Sequence, residues 1–270
     1  MNIKSKIFVI FVIFCVMLSI SSVVAEDNQT DVALENDNQS FDEIKEGESH
    51  SFEQLKNDIN ASGDTFDVQY NYKCGDEENF SEITINKDKF TINGNNHIID
   101  ASNKPNLFYF RPITENITET DIVINNLTFI NFKEIIILVM SCRITFNNVH
   151  FYNHSDYAIY GNTVKLTVNN CTFKSNSVFS EISTTEYSDV VLNESKFYGS
   201  LAQSSIADVN RGTLMVENCI FENLTSEYAS AISYKGDYIS VRKSRFANVH
   251  ANLTAGAMYI KRNLINCFGV

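Results

Sequence analysis

Several side chains in this chain are of types that do chemistry, and their value depends on what lies beside them. Glu194 and Glu217 are of interest because hydrolysis of a glycosidic bond needs two carboxylates about 5–9.5 Å apart. Asp121 and Asp189, with Arg143 and Lys165 each about one repeat away, offer what a polysaccharide lyase uses: acids to hold calcium and a base to take a proton. His150 and His154 are four apart, a metal-ligand spacing on a helix. Tyr152, Tyr157, Tyr160 and Tyr198 could stack on sugar rings. Six cysteines (Cys15, Cys74, Cys142, Cys171, Cys219 and Cys267) complete the set.

The elements that position these residues are read from a repeat. Ile122-Val-Ile-Asn-Asn-Leu-Thr-Phe129 returns as Ile144 to Phe151, Leu166 to Phe173, Val190 to Phe197, Leu214 to Phe221 and Ile239 to Phe246. A degenerate earlier copy runs through Phe90 to Ile99. Successive phenylalanines are 22, 22, 24, 24 and 25 residues apart. Seven and five residues before each Phe stand Ile, Leu, Val or Phe, the alternation of a strand with one buried face. Two polar residues follow, from Asn125-Asn126 to Arg242-Lys243, at a corner where Asn tolerates the left-handed conformation. A short second strand buries the Phe. A third apolar patch (Ala158-Ile159, Ile206-Ala207, Ala231-Ile232, Ala257-Met258) closes each turn. This period is far below a propeller blade and lacks the helix of a leucine-rich repeat. The expected fold is all-β, a right-handed parallel β-helix over residues 63–262, with roughly six clear coils plus degenerate first coils.

Coils stacked at about 4.8 Å turn the columns into a ruler. Asp121 and Asp189 share an outward column but lie three coils, about 14 Å, apart, too far to share an ion. Their neighbours make exposed cross-strand charge pairs the simpler reading, Asp121 with Arg143 and Lys165 with Asp189. Cys171 and Cys219 are separated by the coil of Ser195, about 9–10 Å, beyond disulfide reach. Glu194 and Glu217 fall on successive coils at the corner, where Arg242 and Lys243 follow, so a surface ion network competes with catalysis. They are the weak catalytic candidates if the chain is an enzyme. His150 and His154 cross a strand and a turn, and both are expected to face solvent. No cofactor or metal is expected.

The segments Val168-Asn-Asn-Cys-Thr-Phe173, Phe90-Thr-Ile-Asn-Gly-Asn-Asn-His-Ile-Ile-Asp100 and Ala255-Gly-Ala-Met-Tyr-Ile260 resemble the right-handed parallel β-helix repeats of the adhesin-like surface proteins of methanogenic archaea. Ser51-Phe-Glu-Gln-Leu-Lys-Asn-Asp-Ile-Asn60 is similar to the helix that opens those domains. The resemblance covers residues 51–262. It implies a non-catalytic protein presenting a repetitive surface to glycans or to surface proteins of other cells. The same fold carries pectin lyase-like enzymes, so a polysaccharide lyase or glycoside hydrolase is the alternative.

The remaining sequence fixes the expected setting. Lys4 and Lys6, the apolar run Ile7 to Ile20 and the small residues ending at Ala25 read as a signal peptide over 1–25. The expected location is therefore extracellular or on the cell surface, with membrane contact only through that segment if it is uncleaved. Residues 26–50 hold nine acids against Lys45 and read as an acidic disordered linker. Residues 51–62 read as a capping helix, with Ser51 as N-cap and Phe52, Leu55 and Ile59 on one face. The net charge of −12 excludes nucleic acid as a partner. Of eleven Asn-X-Ser/Thr triplets, Asn116, Asn223 and Asn252 fall in looser segments and are the glycosylation candidates. Residues 263–270 read as a truncated end, so a non-functional fragment of a longer surface protein is a further alternative.

Overall fold

Alternating apolar side chains, rich in Ile, Val and Phe, wind the chain into three parallel sheets that enclose one core. The computed structural model describes residues 49–75, 81–103, 106–114, 116–174, 177, 179–199, 201–202, 207–228 and 231–262. The segments read as signal peptide and truncated end lie outside these residues, as does all of the linker except Ser49 and His50. Those two form a strand register-paired with Asn71 and Tyr72, so the linker gives way to structure two residues earlier than its charge pattern indicates.

The first sheet has eight strands, running from Thr65–Asp67 through Asp121–Asn125 and Arg143–Asn147 to Tyr238–Arg242. The second, of ten strands, carries the phenylalanines, among them Thr128–Ile130, His150–Tyr152, Thr172–Lys174 and Ile220–Ser226. The third, again of eight, includes Ile137–Met140, Ile159–Asn162, Ile182–Thr185 and Ala207–Asn210. Each strand pairs in parallel with its counterpart on the neighbouring coil, for example Ile144 with Leu166, Phe151 with Phe173 and Ile159 with Ile182. The result is a parallel β-solenoid of eight coils.

The repeated Phe makes the most regular column. The rings of Phe151, Phe173, Phe197, Phe221 and Phe246 stack with centroids 4.8 Å apart and planes within 12° of parallel. This separation equals the spacing of the strands that carry them, so backbone ladder and side-chain ladder share one repeat.

The corner after the first strand is left-handed on every clear coil. Asn126, Asn148, Asn170, Glu194, Asn218 and Lys243 have φ between 48° and 53°. Asn amides also bridge coils here, Asn147 Nδ2 donating to Asn125 Oδ1 and Asn169 Nδ2 to Asn147 Oδ1, both at 2.9 Å. A second left-handed corner follows the phenylalanine strand at Asn131, Asn153, Gly199, Asn223 and Asn248. Asn223 thus sits in a tight corner inside the strand Ile220–Ser226, with Asn248 Nδ2 donating to its Oδ1 at 2.9 Å, and not in a loose segment.

The helix Phe52–Ala61 begins at Ser51, whose Oγ accepts from the Gln54 amide at 3.1 Å. Gln54 does not complete a capping box; its Nε2 donates to Asp58 Oδ1 at 2.7 Å. Phe52, Leu55 and Ile59 are buried in the same cluster as Phe66, Val68 and Tyr72 of the first coil. The Tyr72 hydroxyl donates to Asp58 Oδ2 at 2.7 Å. Length differences between coils are not confined to the loop before the third strand. A ten-residue excursion, 111–120, separates Phe108–Phe110 from Asp121–Asn125 and contains a short 3-10 turn at Ile117–Glu119. Asp88 Oδ1 pins it by accepting the amides of Ile113 and Thr114, each at 2.8 Å.

Candidate functional site

Outward positions on a solenoid form columns as regular as the inward ones. On the third sheet one outward column reads Tyr109, Leu138, Tyr160, Ser183, Asp208, Ser233 and Tyr259. The loop before Ile159–Asn162 brings Tyr157 against Tyr160, with centroids 5.4 Å apart. The loop before Ile182–Thr185 brings Phe179 against Tyr157, at 5.2 Å. Interplanar angles of 59° and 38° make the three rings a bent, continuous platform. Phe179 is 40% exposed, so part of the platform is open to solvent.

Beside this platform stands Asp208, two strands from Tyr160 with Ser183 between them. Burial raises its carboxyl above the ordinary range, partly opposed by a hydrogen bond from Ser233. The Tyr157 hydroxyl is raised by burial first, and then by the charges of Asp156 and Asp208. Rings and a partly desolvated carboxylate on a rigid sheet form a surface able to stack on and hydrogen-bond a ligand. Of the four tyrosines singled out in the sequence, Tyr157 and Tyr160 belong to this site. Tyr152 is buried and Tyr198 lies on the second sheet. Sequence reading missed Phe179, in the loop before Ile182–Thr185, and Asp208, on the strand Ala207–Asn210. The signal that could have found Asp208 was the outward column of the third strand.

The proposed carboxylate pair is not brought into one column. Glu217 is register-paired with Asn193, and Glu194 occupies the next position, the left-handed corner. Glu217 lies 3.7 Å from Lys243 Nζ, both side chains well exposed, as the surface-network reading requires. The expected ion pairs of the outward column have other partners instead. Arg143 Nη2 donates to the Thr118 carbonyl at 3.4 Å, and Asp189 Oδ1 accepts from Thr213 Oγ1 at 2.7 Å. Asn116 caps the 3-10 turn, with Oδ1 accepting from the Thr118 amide and hydroxyl and Nδ2 donating to Glu119. Asn252 is exposed in a turn.

His154 is not solvent-facing. It lies just past the second corner, where the preceding coil has buried Phe132, and its Nε2 is 2.5 Å from Glu181 Oε2 with both side chains at most 1% exposed. Its Nδ1 is also buried and has no partner among the described residues. His150 is half-buried on the outer face of the second sheet, its ring 5.9 Å from that of Tyr152. Burial, then the Lys196 charge, lowers its pKa.

Cys74, Cys142, Cys171 and Cys219 are buried, the last three as free thiols, and the Cys171–Ser195–Cys219 order of the column is as the ruler gave it. Burial pushes Cys142 and Cys171 up to about 12 and Cys219 to about 11. Since only the thiolate alkylates, iodoacetamide at pH 8 is expected to leave peptides carrying these three cysteines unmodified in the native protein. After unfolding in guanidinium it is expected to label all three, as read by mass spectrometry.

A second concavity, an open groove of about 790 Å³, lies between the 111–120 excursion and the first sheet. Its lining alternates in sign, with Asp88, Glu119 and Asp121 set among Lys87, Lys89 and Arg143. Lys87 is already committed to the Ser62 and Gly63 carbonyls and Asp88 to the amides of Ile113 and Thr114.

No family model matches the chain, and no curated protein matches it. Among solved structures it is similar to ORF18 of Geobacillus virus E2, at 15% identity and a TM-score of 0.32, over 76% of this chain and 55% of that one. The chain thus spans about half the length of that neighbour.

Proposed function

We propose that the protein is an exported, non-catalytic, adhesin-like right-handed β-helix that engages glycans on other cells through the outer face of its third sheet. The helix Phe52–Ala61 serves as the cover of its first coil. The observation that carries this reading is the platform of Tyr157, Tyr160 and Phe179 beside Asp208. Aromatic rings in a fixed array give contact area at low entropy cost, and a parallel ladder holds them rigid. The acid pair a glycosidase would use, Glu194 and Glu217, stands on an exposed corner, with one member ion-paired to lysine.

Two assays on the purified mature chain separate binding from turnover. Binding to intact cells or their envelope polysaccharides, without release of reducing or uronic sugars from a polysaccharide panel, is the expected result. Turnover abolished by Glu194→Gln or Glu217→Gln would overturn it in favour of a polysaccharide-degrading enzyme.

A further inference from the structure

We infer that the site on the third sheet takes a glycan of uncharged sugars, stacked on Tyr157, Tyr160 and Phe179 with its hydroxyls on Ser183, Asp208 and Ser233, and that Asp208 excludes acidic sugars. This rests on the adhesive reading and deepens it.

The ring geometry disfavours a caged cation. A quaternary ammonium is held by rings standing around it, whereas these rings abut at 5.2 and 5.4 Å and leave no cage. Such a surface suits the C–H face of a sugar. Adjoining it, Ser183, Asp208 and Ser233 follow one another on successive strands at about 4.8 Å, a polar strip running away from the Tyr160 ring. The next outward column adds Asn162, Thr185, Asn210 and Lys235.

Charge supplies the discrimination. Asp208 has already lost part of its hydration, and Tyr157 feels both Asp156 and Asp208. Sugar hydroxyls donate to such a carboxylate and restore hydrogen bonds lost to burial. A uronate or sulfate there would put like charges together where water screens them poorly. Lys235 stands in the neighbouring column, on the coil beyond Asn210, and does not share the aromatic column.

Calorimetry on the full mature chain tests this with neutral hexose oligosaccharides against hexuronate oligosaccharides of equal length. Neutral oligomers are expected to bind at least about tenfold more tightly. Tyr160→Ala and Phe179→Ala should each weaken neutral binding by about tenfold, and Tyr160→Phe should keep most of it. Asp208→Asn should weaken neutral binding several-fold while bringing uronates to within about threefold of it. Unchanged thermal unfolding of each variant excludes misfolding as the cause. Uronate binding equal to or tighter than neutral, or neutral binding indifferent to Tyr160→Ala, overturns the inference. Binding to cells or envelope proteins but to no oligosaccharide overturns it while leaving the adhesive reading standing; binding to none of these overturns both.

Discussion

His154→Ala is expected to lower the unfolding free energy by about 3–5 kcal/mol, because it removes a fully buried ring together with its hydrogen bond to Glu181 and leaves a void. The columns supply the control. One coil before His154 its place is taken by Phe132, and the column of Glu181 holds Ile136, Ala158, Ala231 and Ala257 on other coils, paired through Ile159 N to Glu181 O and Ile137 N to Ala158 O. The double variant His154→Phe with Glu181→Ala therefore restores what the repeat prescribes, and its stability is expected within about 1 kcal/mol of the parent or above it. Guanidinium unfolding followed by circular dichroism reads both. A single variant costing less than about 1 kcal/mol would mean that the pair is hydrated in solution. The pair also ties together the two loops that carry Tyr157 and Phe179, so the single variant should loosen the platform as well.

The second large effect is expected at the centre of the phenylalanine ladder. Phe173→Ala removes a fully buried ring stacked on both Phe151 and Phe197, at a cost of about 3–5 kcal/mol from lost burial and the cavity left behind. Phe246, at the end of the stack and only partly buried, should cost distinctly less when changed to Ala. Equal costs at the two positions would contradict the view that each ring is held by both neighbours.

The fold was legible because inward positions repeat. Isoleucine, valine and phenylalanine at fixed offsets leave few architectures open, and the Asn pairs mark left-handed corners that φ values bear out from Asn126 to Asn218. The coil ruler placed Cys171 and Cys219 correctly for the same reason. What the sequence did not disclose lies where the period breaks. His154 looked exposed because a histidine after a corner is usually solvated; only the column of Phe132 shows that its place is inward. Glu181 sits ahead of a strand whose start the repeat does not mark. Register at the corner separates Glu194 from Glu217 by one position, an offset already present in the repeat, where Glu194 stands three residues before its Phe and Glu217 four. Phe179 meets Tyr157 from a loop, which carries no periodic signal, whereas Asp208 stands on the strand Ala207–Asn210, in an outward column that the inward repeat does not draw attention to.

The claim that the outer face of the third sheet is the binding surface is tested most directly by amide hydrogen exchange of the protein with and without bound envelope polysaccharide. Added protection is expected in Ile159–Asn162, Ile182–Thr185 and Ala207–Asn210 and in the loops carrying Tyr157 and Phe179. Protection confined to the corner of Glu194 and Glu217, or to the groove at 111–120, would contradict it.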